Sequence, residues 1–273
     1  MYANKIFWLL LVISYSTFAN EGCLKGDCIN GIGTIQLGNG DRYQGYFKNA
    51  EPSGKGVYFL ANGDQYEGDV KEGKPEGKGI LKYANGDKYS GEFENGKPNG
   101  KGTLNSENGD EYVGEFKDGF YNGKGVINFA NDDQYVGEFK DDKYEGHGTF
   151  LYANGAQYEG EFKEGVFDGK GIYIFKNGDR YEGDFKKGHR EGQGVFIYNP
   201  KNDKYDRYVG EFKNDRFDGH GTLYYKNNEK YEGEFKDDAA NGLGTYTYAN
   251  GKHHNGEFRN GDPVKKLDNK KPE

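Results

Sequence analysis

The sequence is dominated by a five-residue phrase, Tyr-x-Gly-x-Phe, that returns at a nearly constant spacing. It first occurs at residues 43–47 and ends in a degraded copy at 254–258, and the step is 23 residues everywhere except between Tyr181 and Tyr208, where it is 27. A fixed period of this length indicates a repeat array, in which each unit packs only against its neighbours. We therefore expect one array of ten copies, although 273 residues would also allow two ordinary domains.

The composition favours an ordered chain. Only 33% of the residues are hydrophobic and 30% are charged, which is also typical of disordered segments. Disordered segments are poor in aromatic residues, however, and 16% of this chain is aromatic. The net charge of −8 argues against nucleic acid as a partner, because nucleic-acid binding requires a basic surface.

Each repeat has the sequence features of a β-hairpin. A Gly-x-Gly element such as Gly54-Lys55-Gly56 precedes a short run of β-branched and aromatic residues, and an Asn-Gly-Asp turn at 62–64 follows. Asn-Gly between two alternating runs is a strong hairpin signal, because both residues tolerate a positive φ. The predicted fold is therefore all-β: an elongated, single antiparallel meander of stacked β-hairpins.

The phrase itself is predicted to be a packing unit. Residues two apart in a strand share a face, so Tyr43, Gly45 and Phe47 should lie together. We expect a register that places Phe47 opposite Gly33 and Tyr43 opposite Leu37, in which the glycines make room for neighbouring rings. The predicted repeat-core residues are Tyr43, Gly45, Phe47, Tyr66, Gly68, Tyr89, Gly91, Phe93, Tyr112, Gly114, Phe116, Tyr135, Gly137, Phe139, Tyr158, Gly160, Phe162, Tyr181, Gly183, Phe185, Tyr208, Gly210, Phe212, Tyr231, Gly233 and Phe235.

Tyr-x-Gly-x-Phe, Gly-x-Gly and Asn-Gly-Asp at this spacing resemble the MORN (membrane occupation and recognition nexus) repeat. The resemblance covers about residues 24–262 and implies a linear array of hairpins, with peripheral binding to anionic phospholipid as a possible activity. The candidate lipid contacts are the Gly-x-Gly lysines Lys78, Lys101, Lys124 and Lys170. The alternative is that these lysines neutralise neighbouring acidic residues across strands.

The first residues resemble a secretory signal peptide. A short positive start, an apolar run and small residues before position 20 predict cleavage after Ala19, which would make the protein secreted or periplasmic. A lipid anchor at Cys23 is less favoured, because no aliphatic residue stands shortly before it. In an exported chain, Cys23 and Cys28 predict a disulfide; by the resemblance it would staple an N-terminal half-repeat. The array is assigned to residues 20–262, and the polar tail 263–273 is predicted to be disordered.

The sequence predicts no catalytic, metal or cofactor site. Gly-Lys-Gly joins two strands and does not open a helix, as a phosphate-binding loop would. The carboxylates recur in every unit, which indicates a structural role. His147 and His220 lie three repeats apart, too far to share a metal ion.

The predicted function is a non-enzymatic interaction scaffold for a protein or a cell-envelope component. One position changes along the array from Pro52, Pro75 and Pro98 to aromatic residues, and we place it on a loop edge. The candidate binding residues there are Tyr121, Tyr144, Phe167 and Phe217. Two alternatives stay open: phospholipid binding through the lysines, and carbohydrate binding through an aromatic groove.

Overall fold

The structure is a computed structural model that describes residues 22–264, in which every regular element is a β-strand. The predicted all-β fold of antiparallel hairpins is therefore confirmed. The predicted signal peptide and residues 265–273 of the predicted tail lie outside the described residues, which contain no helix able to span a membrane. The strands are β1 (Cys23–Gly26), β2 (Ile32–Gln36), β3 (Arg42–Lys48), β4 (Glu51–Phe59), β5 (Gln65–Lys71), β6 (Lys74–Lys82), β7 (Lys88–Glu94), β8 (Lys97–Asn105), β9 (Glu111–Lys117), β10 (Phe120–Asn128), β11 (Gln134–Lys140), β12 (Lys143–Leu151), β13 (Gln157–Lys163), β14 (Val166–Ile174), β15 (Arg180–Lys186), β16 (His189–Ile197), β17 (Tyr205–Lys213), β18 (Arg216–Tyr225), β19 (Lys230–Lys236), β20 (Ala239–Thr247), β21 (His253–Arg259) and β22 (Asp262–Pro263).

The chain divides after Tyr144, the second residue of β12, into two compact units. In the first unit, β1 to β11 pair in sequence order, each strand antiparallel to the next. In the second unit, β12 to β22 pair in the same way. Each unit is thus a meander of hairpins, with two strands to a repeat.

Two kinds of turn alternate along each meander. The seven-residue β5 and the nine-residue β6 are joined by Glu72 and Gly73, which both have positive φ, at 48° and 73°. This is the left-handed pair that matches the twist of a hairpin. In the Asn-Gly-Asp turn only the glycine is left-handed, as at Gly86 (φ 96°), while Asn85 Oδ1 accepts the Asp87 N–H at 3.1 Å. The expectation that asparagine adopts positive φ in this turn is therefore wrong.

The predicted register is wrong by two residues. Gly45 lies directly opposite Gly33, and Tyr43 lies opposite Ile35. The reason is that the tyrosine ring does not point straight across to the next strand. It lies along its own strand over the glycines, and its hydroxyl donates a hydrogen bond to the Tyr46 carbonyl at 3.0 Å. Glycine therefore lies opposite glycine. The space left by the missing side chain of Gly45 is filled by the ring of Tyr43, two residues earlier in the same strand.

A bulge accompanies the Gly-x-Gly element of β4, β6, β8, β10, β14, β16, β18 and β20. In the pairing of β5 with β6, Gly68 faces Gly79 and Val70 faces Pro75, so β6 contains two additional residues in this interval. Gly77, within the bulge, has a φ of 71°. Bulges bend a strand and increase its twist. The first glycine of the element thus adopts the positive φ of the bulge, and the second leaves space for the tyrosine ring.

The sheet of each unit has two unlike faces. The aromatic face carries the tyrosine and phenylalanine of every phrase, and it forms the core. The opposite face, here called the groove face, carries the residue between tyrosine and glycine, the residue before phenylalanine and the central residue of Gly-x-Gly. On the groove face, shallow depressions have glycines on their floor.

Candidate interaction surface

The tyrosines of the phrase form the most buried part of the molecule. Tyr43, Tyr66 and Tyr158 have no exposed surface, and the phenylalanines beside them are also buried. Each phrase tyrosine donates its hydroxyl hydrogen to the carbonyl three residues later, as Tyr112 does to Glu115 at 2.8 Å. Burial raises the pKa of these tyrosines; that of Tyr43 rises to about 12. These rings are core and leave no open aromatic groove along the phrase.

The glycines beneath these rings have no space for a side chain. A Cβ added to Gly125 would lie 2.6–2.7 Å from three atoms of the Tyr112 ring, and a Cβ on Gly171 would meet Tyr158 at the same distances. The degraded last copy differs. Because His254 replaces the tyrosine, a Cβ on Gly256 would meet only His254 Nε2, at 3.5 Å.

The changing aromatic position lies inside strands, and its placement on a loop edge is wrong. Tyr121 belongs to β10 and Phe217 to β18. Their rings stack on the phrase tyrosines, with centroids 3.7 Å apart for Tyr112 and Tyr121 and 3.8 Å for Tyr208 and Phe217. Tyr144 and Phe167 stack in the same way, on Tyr135 and Tyr158 respectively. The physical reason is that the short turn ends one residue earlier, so this position alternates onto the aromatic face.

Arg190 occupies this position in the repeat of Tyr181 and replaces the stacked ring with a planar cation. Its guanidinium lies 5.4–5.6 Å from the centroids of four rings, those of Phe175, Tyr181, Phe196 and Phe212. The neighbouring carboxylate of Asp215 accepts the Arg190 N–H at 2.9 Å. Burial opposes the charge of Asp215, but this bond and the contact with His189 outweigh it and lower the pKa of Asp215.

The acidic residues of the groove face hold the bulges in place. Glu92 Oε2 accepts the Lys101 N–H at 3.0 Å, and Glu211 Oε1 accepts the His220 N–H at 3.1 Å. Each acid thus caps a backbone amide that the bulge takes out of the ladder. The sequence showed that these acids recur, but the two additional residues of the bulge could not be counted without the register.

The Gly-x-Gly lysines lie on the groove face, opposite these acids. In the first unit, Lys55 forms an ion pair with Asp69 at 2.8 Å, and the other lysines lie directly across the ladder from a glutamate. These pairs are Lys78 with Glu92, Lys101 with Glu115 and Lys124 with Glu138. In the second unit, Lys170 lies 2.5 Å from Asp184. The register therefore places each of these lysines where it neutralises a carboxylate.

Exposed aliphatic side chains concentrate on the groove face. Val113, Val136 and Val209, each between the tyrosine and glycine of a phrase, are 44%, 42% and 39% exposed. Leu243, at the centre of a Gly-x-Gly element, is 67% exposed. These positions are not among the binding residues predicted from the sequence. Their signal in the sequence was an aliphatic residue at a position that is polar in most other copies.

A second exposed feature lies at the turn end of the aromatic face in the second unit. Tyr198, Tyr205, Tyr225 and Tyr246 follow one another with centroids 5.1–5.8 Å apart, and Tyr248 continues the row. The first four rings are half-buried, and Tyr248 is 42% exposed. The rings meet edge-on or tilted, so much of each face is turned towards its neighbour.

The N-terminal end carries the predicted disulfide. Cys23 and Cys28 are bonded, with their Cα atoms 6.1 Å apart, and the bond ties β1 to the turn before β2. Within residues 22–264, no group of three or more histidine, cysteine, aspartate or glutamate side chains is placed to hold a metal ion.

Comparison with known proteins identifies the repeat. The MORN repeat profile matches nine segments, residues 43–65, 66–88, 89–111, 112–134, 135–157, 158–180, 181–202, 208–230 and 231–253. The tenth, degraded copy forms β21 and lies beyond these segments. The sequence has no significant match among curated proteins.

Two solved structures show a distant likeness of fold. The TCP10 domain of CPAP from Danio rerio is 14% identical, with a TM-score of 0.39 over 82% of this chain and 99% of that one. The SAS-4 (dCPAP) TCP domain of Drosophila melanogaster, in complex with a proline-rich motif of Ana2, is 19% identical, with a TM-score of 0.35 over 57% of this chain and 85% of that one. Likeness at this level carries no inference about function. The nine matched segments, in contrast, cover most of the chain, which therefore belongs to the MORN repeat family.

Proposed function

We propose that this protein is a non-enzymatic, exported scaffold whose groove face binds extended polypeptide segments. The observation that carries the proposal is the pair of exposed aliphatic side chains on that face in the second unit, Val209 and Leu243, which line one depression. Apolar side chains left open beside a glycine floor mark a surface suited to a partner. An extended chain suits it because this depression is shallow and runs from β16 to β21.

A binding role accounts for the polar groups of this face without catalysis. The acids serve the bulge amides, as Glu92 does for Lys101, and the lysines lie across from acids. A catalytic pair would have to break this repeated arrangement, because one active centre needs one special geometry.

Export is part of the same proposal. The bonded pair of Cys23 and Cys28 fits an oxidising compartment, since such bonds are rare where thiols are kept reduced. The predicted signal peptide at residues 1–19 points the same way. The partner is accordingly a protein or another component of the secreted or periplasmic space.

Two other functions are less favoured. Anionic phospholipid would have to compete with the carboxylates that already face the lysines, as Asp69 faces Lys55 at 2.8 Å. Carbohydrate would have to use the tyrosine row near Tyr225 and Tyr248, where the rings turn much of their faces to each other.

The test is a selection of random linear peptides on the immobilised mature protein, followed by measurement of the affinities of the selected peptides. A Val209→Ser, Leu243→Ser double variant should weaken binding at least about tenfold, because it removes the apolar contacts of this depression. The matched control, Leu24→Ser with Tyr248→Ser, changes two exposed apolar residues that do not line this depression and should leave binding unchanged.

The proposal fails if the groove-face variant keeps full affinity while its circular dichroism spectrum is unaltered. Vesicles containing anionic lipid and insoluble glycans serve as parallel probes. The peptide proposal would be replaced by the corresponding alternative under two conditions. The original chain would bind no peptide, and the groove-face variant would still be retained on the vesicles or on the glycans.

A further inference from the structure

In the second unit the groove face carries acids that no lysine faces. The column of acids comprises Glu161, Asp184, Glu211, Glu234 and Glu257. Across the ladder lie, in the same order, His147, Lys170, Gln193, His220 and Leu243. Lysine thus faces only Asp184, whereas in the first unit every acid of the column faces a lysine.

Three of these carboxylates, those of Glu161, Asp184 and Glu211, are held in position by backbone amides before any ligand arrives. Glu161 Oε1 accepts the Lys170 N–H at 3.1 Å, and Glu211 Oε1 accepts the His220 N–H at the same distance. The Glu211 side chain is 44% exposed and can therefore reach a cation, and the nearby His220 Nδ1 lies 4.0 Å from its Oε1. A fixed carboxylate binds a guanidinium with little loss of side-chain freedom.

Other cations nearby are engaged elsewhere or lie away from the centre of the groove. Arg259 lies 3.3 Å from Glu257, at the end of the column, and Lys236 pairs with Asp218 at 2.7 Å. Lys213 lies in the same cluster as Lys236, at the far end of the strands. The central acids of the column, Glu211 and Glu234, therefore define its negative charge.

The column has the period of an extended peptide. Successive acids are two strands apart, which corresponds to about 10 Å at the usual strand spacing. A polyproline II helix has three residues per turn and advances about 9.3 Å in that turn, so every third side chain points the same way. A regular β-strand would alternate its side chains and could not present every third residue to one face.

From this charge and period we propose that the second-unit groove binds a basic polyproline II segment, with arginine or lysine at every third position. The cations contact Glu211, Glu234 and their neighbours in the column. The residues between them lie on the glycine floor, beside the exposed side chains of Val209 and Leu243. This inference rests on the proposed peptide-binding function and adds the chemistry of the peptide and the unit that binds it.

The probe is a fluorescent peptide of four Arg-Pro-Pro triplets, titrated with the full chain at physiological salt and followed by anisotropy. Its comparison peptide has the same composition with the four arginines contiguous. The spaced peptide should bind about tenfold more tightly than the contiguous one, because only its arginines match the column. Equal affinities would reduce the effect to non-specific attraction and overturn the proposal.

The site is tested by restoring lysines without touching the acids. Gln193→Lys with His220→Lys should weaken binding of the spaced peptide about tenfold, by neutralising Glu211 and Glu234. Ser90→Lys with Thr103→Lys adds the same charge to the groove face of the first unit and should have less than about a twofold effect. If both variants behave alike, the second-unit site is wrong.

Two further outcomes distinguish this inference from the proposed function alone and from binding of the chain's own C-terminal residues. Selected peptides that bind through Val209 and Leu243 but lack spaced basic residues would overturn it and leave the proposed function standing. A large gain in affinity on removal of residues 265–273 would show that this chain's own lysines compete for the groove, and would overturn the assignment to a separate peptide.

Discussion

At the scale of single residues, one arrangement repeats: a tyrosine ring lies over two glycines and is held by its own hydroxyl. Tyr158 covers Gly160 and Gly171 in this way and donates to the Glu161 carbonyl at 2.8 Å. The ring gains full burial, and the hydroxyl is not left without an acceptor, which would be costly in a core. The glycines are therefore required by contact with the ring.

This contact predicts different costs for the same substitution at two glycines. Gly171→Ala should destabilise the fold by about 3 kcal/mol, because its Cβ would overlap the Tyr158 ring. Gly256→Ala should cost less than about 0.5 kcal/mol, since only His254 is near and at ordinary contact distance. Urea denaturation measures both. Similar costs at the two positions would refute the role of the ring.

At the scale of the hairpin, a turn aspartate links neighbouring repeats. Asp64 Oδ1 accepts the Ala84 N–H at 2.8 Å, and Asp179 Oδ1 accepts the Asn199 N–H at 2.7 Å. The same bond links Asp41, Asp87 and Asp110 to the residue 20 positions later. The fifth repeat lacks this acceptor, because Ala156 stands in place of the aspartate.

Introducing the missing acceptor should stabilise the second unit. Ala156→Asp is expected to raise stability by roughly 1 kcal/mol, the usual net value of a hydrogen bond, by capping the N–H of residue 176. Burial should not prevent this, since Asp41 and Asp87 are as buried in their turns as Ala156 is. The readout is the urea midpoint at unchanged m-value. Asp179→Ala is the reciprocal variant and should lower the midpoint; a lower midpoint for Ala156→Asp would contradict the model of the link.

Much of the hairpin could be predicted from the sequence, because period and turn residues are local signals. The Asn-Gly-Asp turns and the shared face of Tyr43 and Phe47 are of this kind. The register could not be predicted, since it depends on how the Tyr43 ring lies over Gly45 and Gly56. The position of Tyr121 was misjudged for a related reason. Side chains alternate between the two faces of a strand. The last residue of the two-residue turn therefore determines whether this ring faces solvent or the core.

At the scale of the whole molecule, stability depends on a core of tyrosines that must remain neutral. Burial raises the pKa of Tyr43 in the first unit and of Tyr225 in the second, each to about 12. Burial also raises the pKa of the phrase tyrosines Tyr66, Tyr112, Tyr158 and Tyr208. In an unfolded chain each would ionise near pH 10. Both units thus contain many groups whose ionisation favours unfolding.

The folded protein should therefore be lost steeply above pH 10. A raised folded-state pKa stabilises fully below the unfolded pKa, and this contribution falls by about 1.4 kcal/mol per pH unit for each tyrosine as the pH rises towards the folded value. Tyrosinate absorbance and loss of the β-sheet circular dichroism signal should rise together. Ionisation of most tyrosines near pH 10 with an intact sheet signal would contradict the burial of these rings.

The turn-aspartate bonds have a consequence for how such a gene can change in length. Each bond joins residues at a constant offset of 20 in a 23-residue period, so duplication or deletion of one complete copy that carries the aspartate leaves these donors with their acceptors. An insertion or deletion between the aspartate and its amide that changes the offset of 20 residues would break these bonds. The longer repeat respects this condition, because its additional residues follow Asn199 and the bond from Asp179 keeps its offset. The array can thus grow or shorten by recombination between copies without passing through an unfolded ancestor.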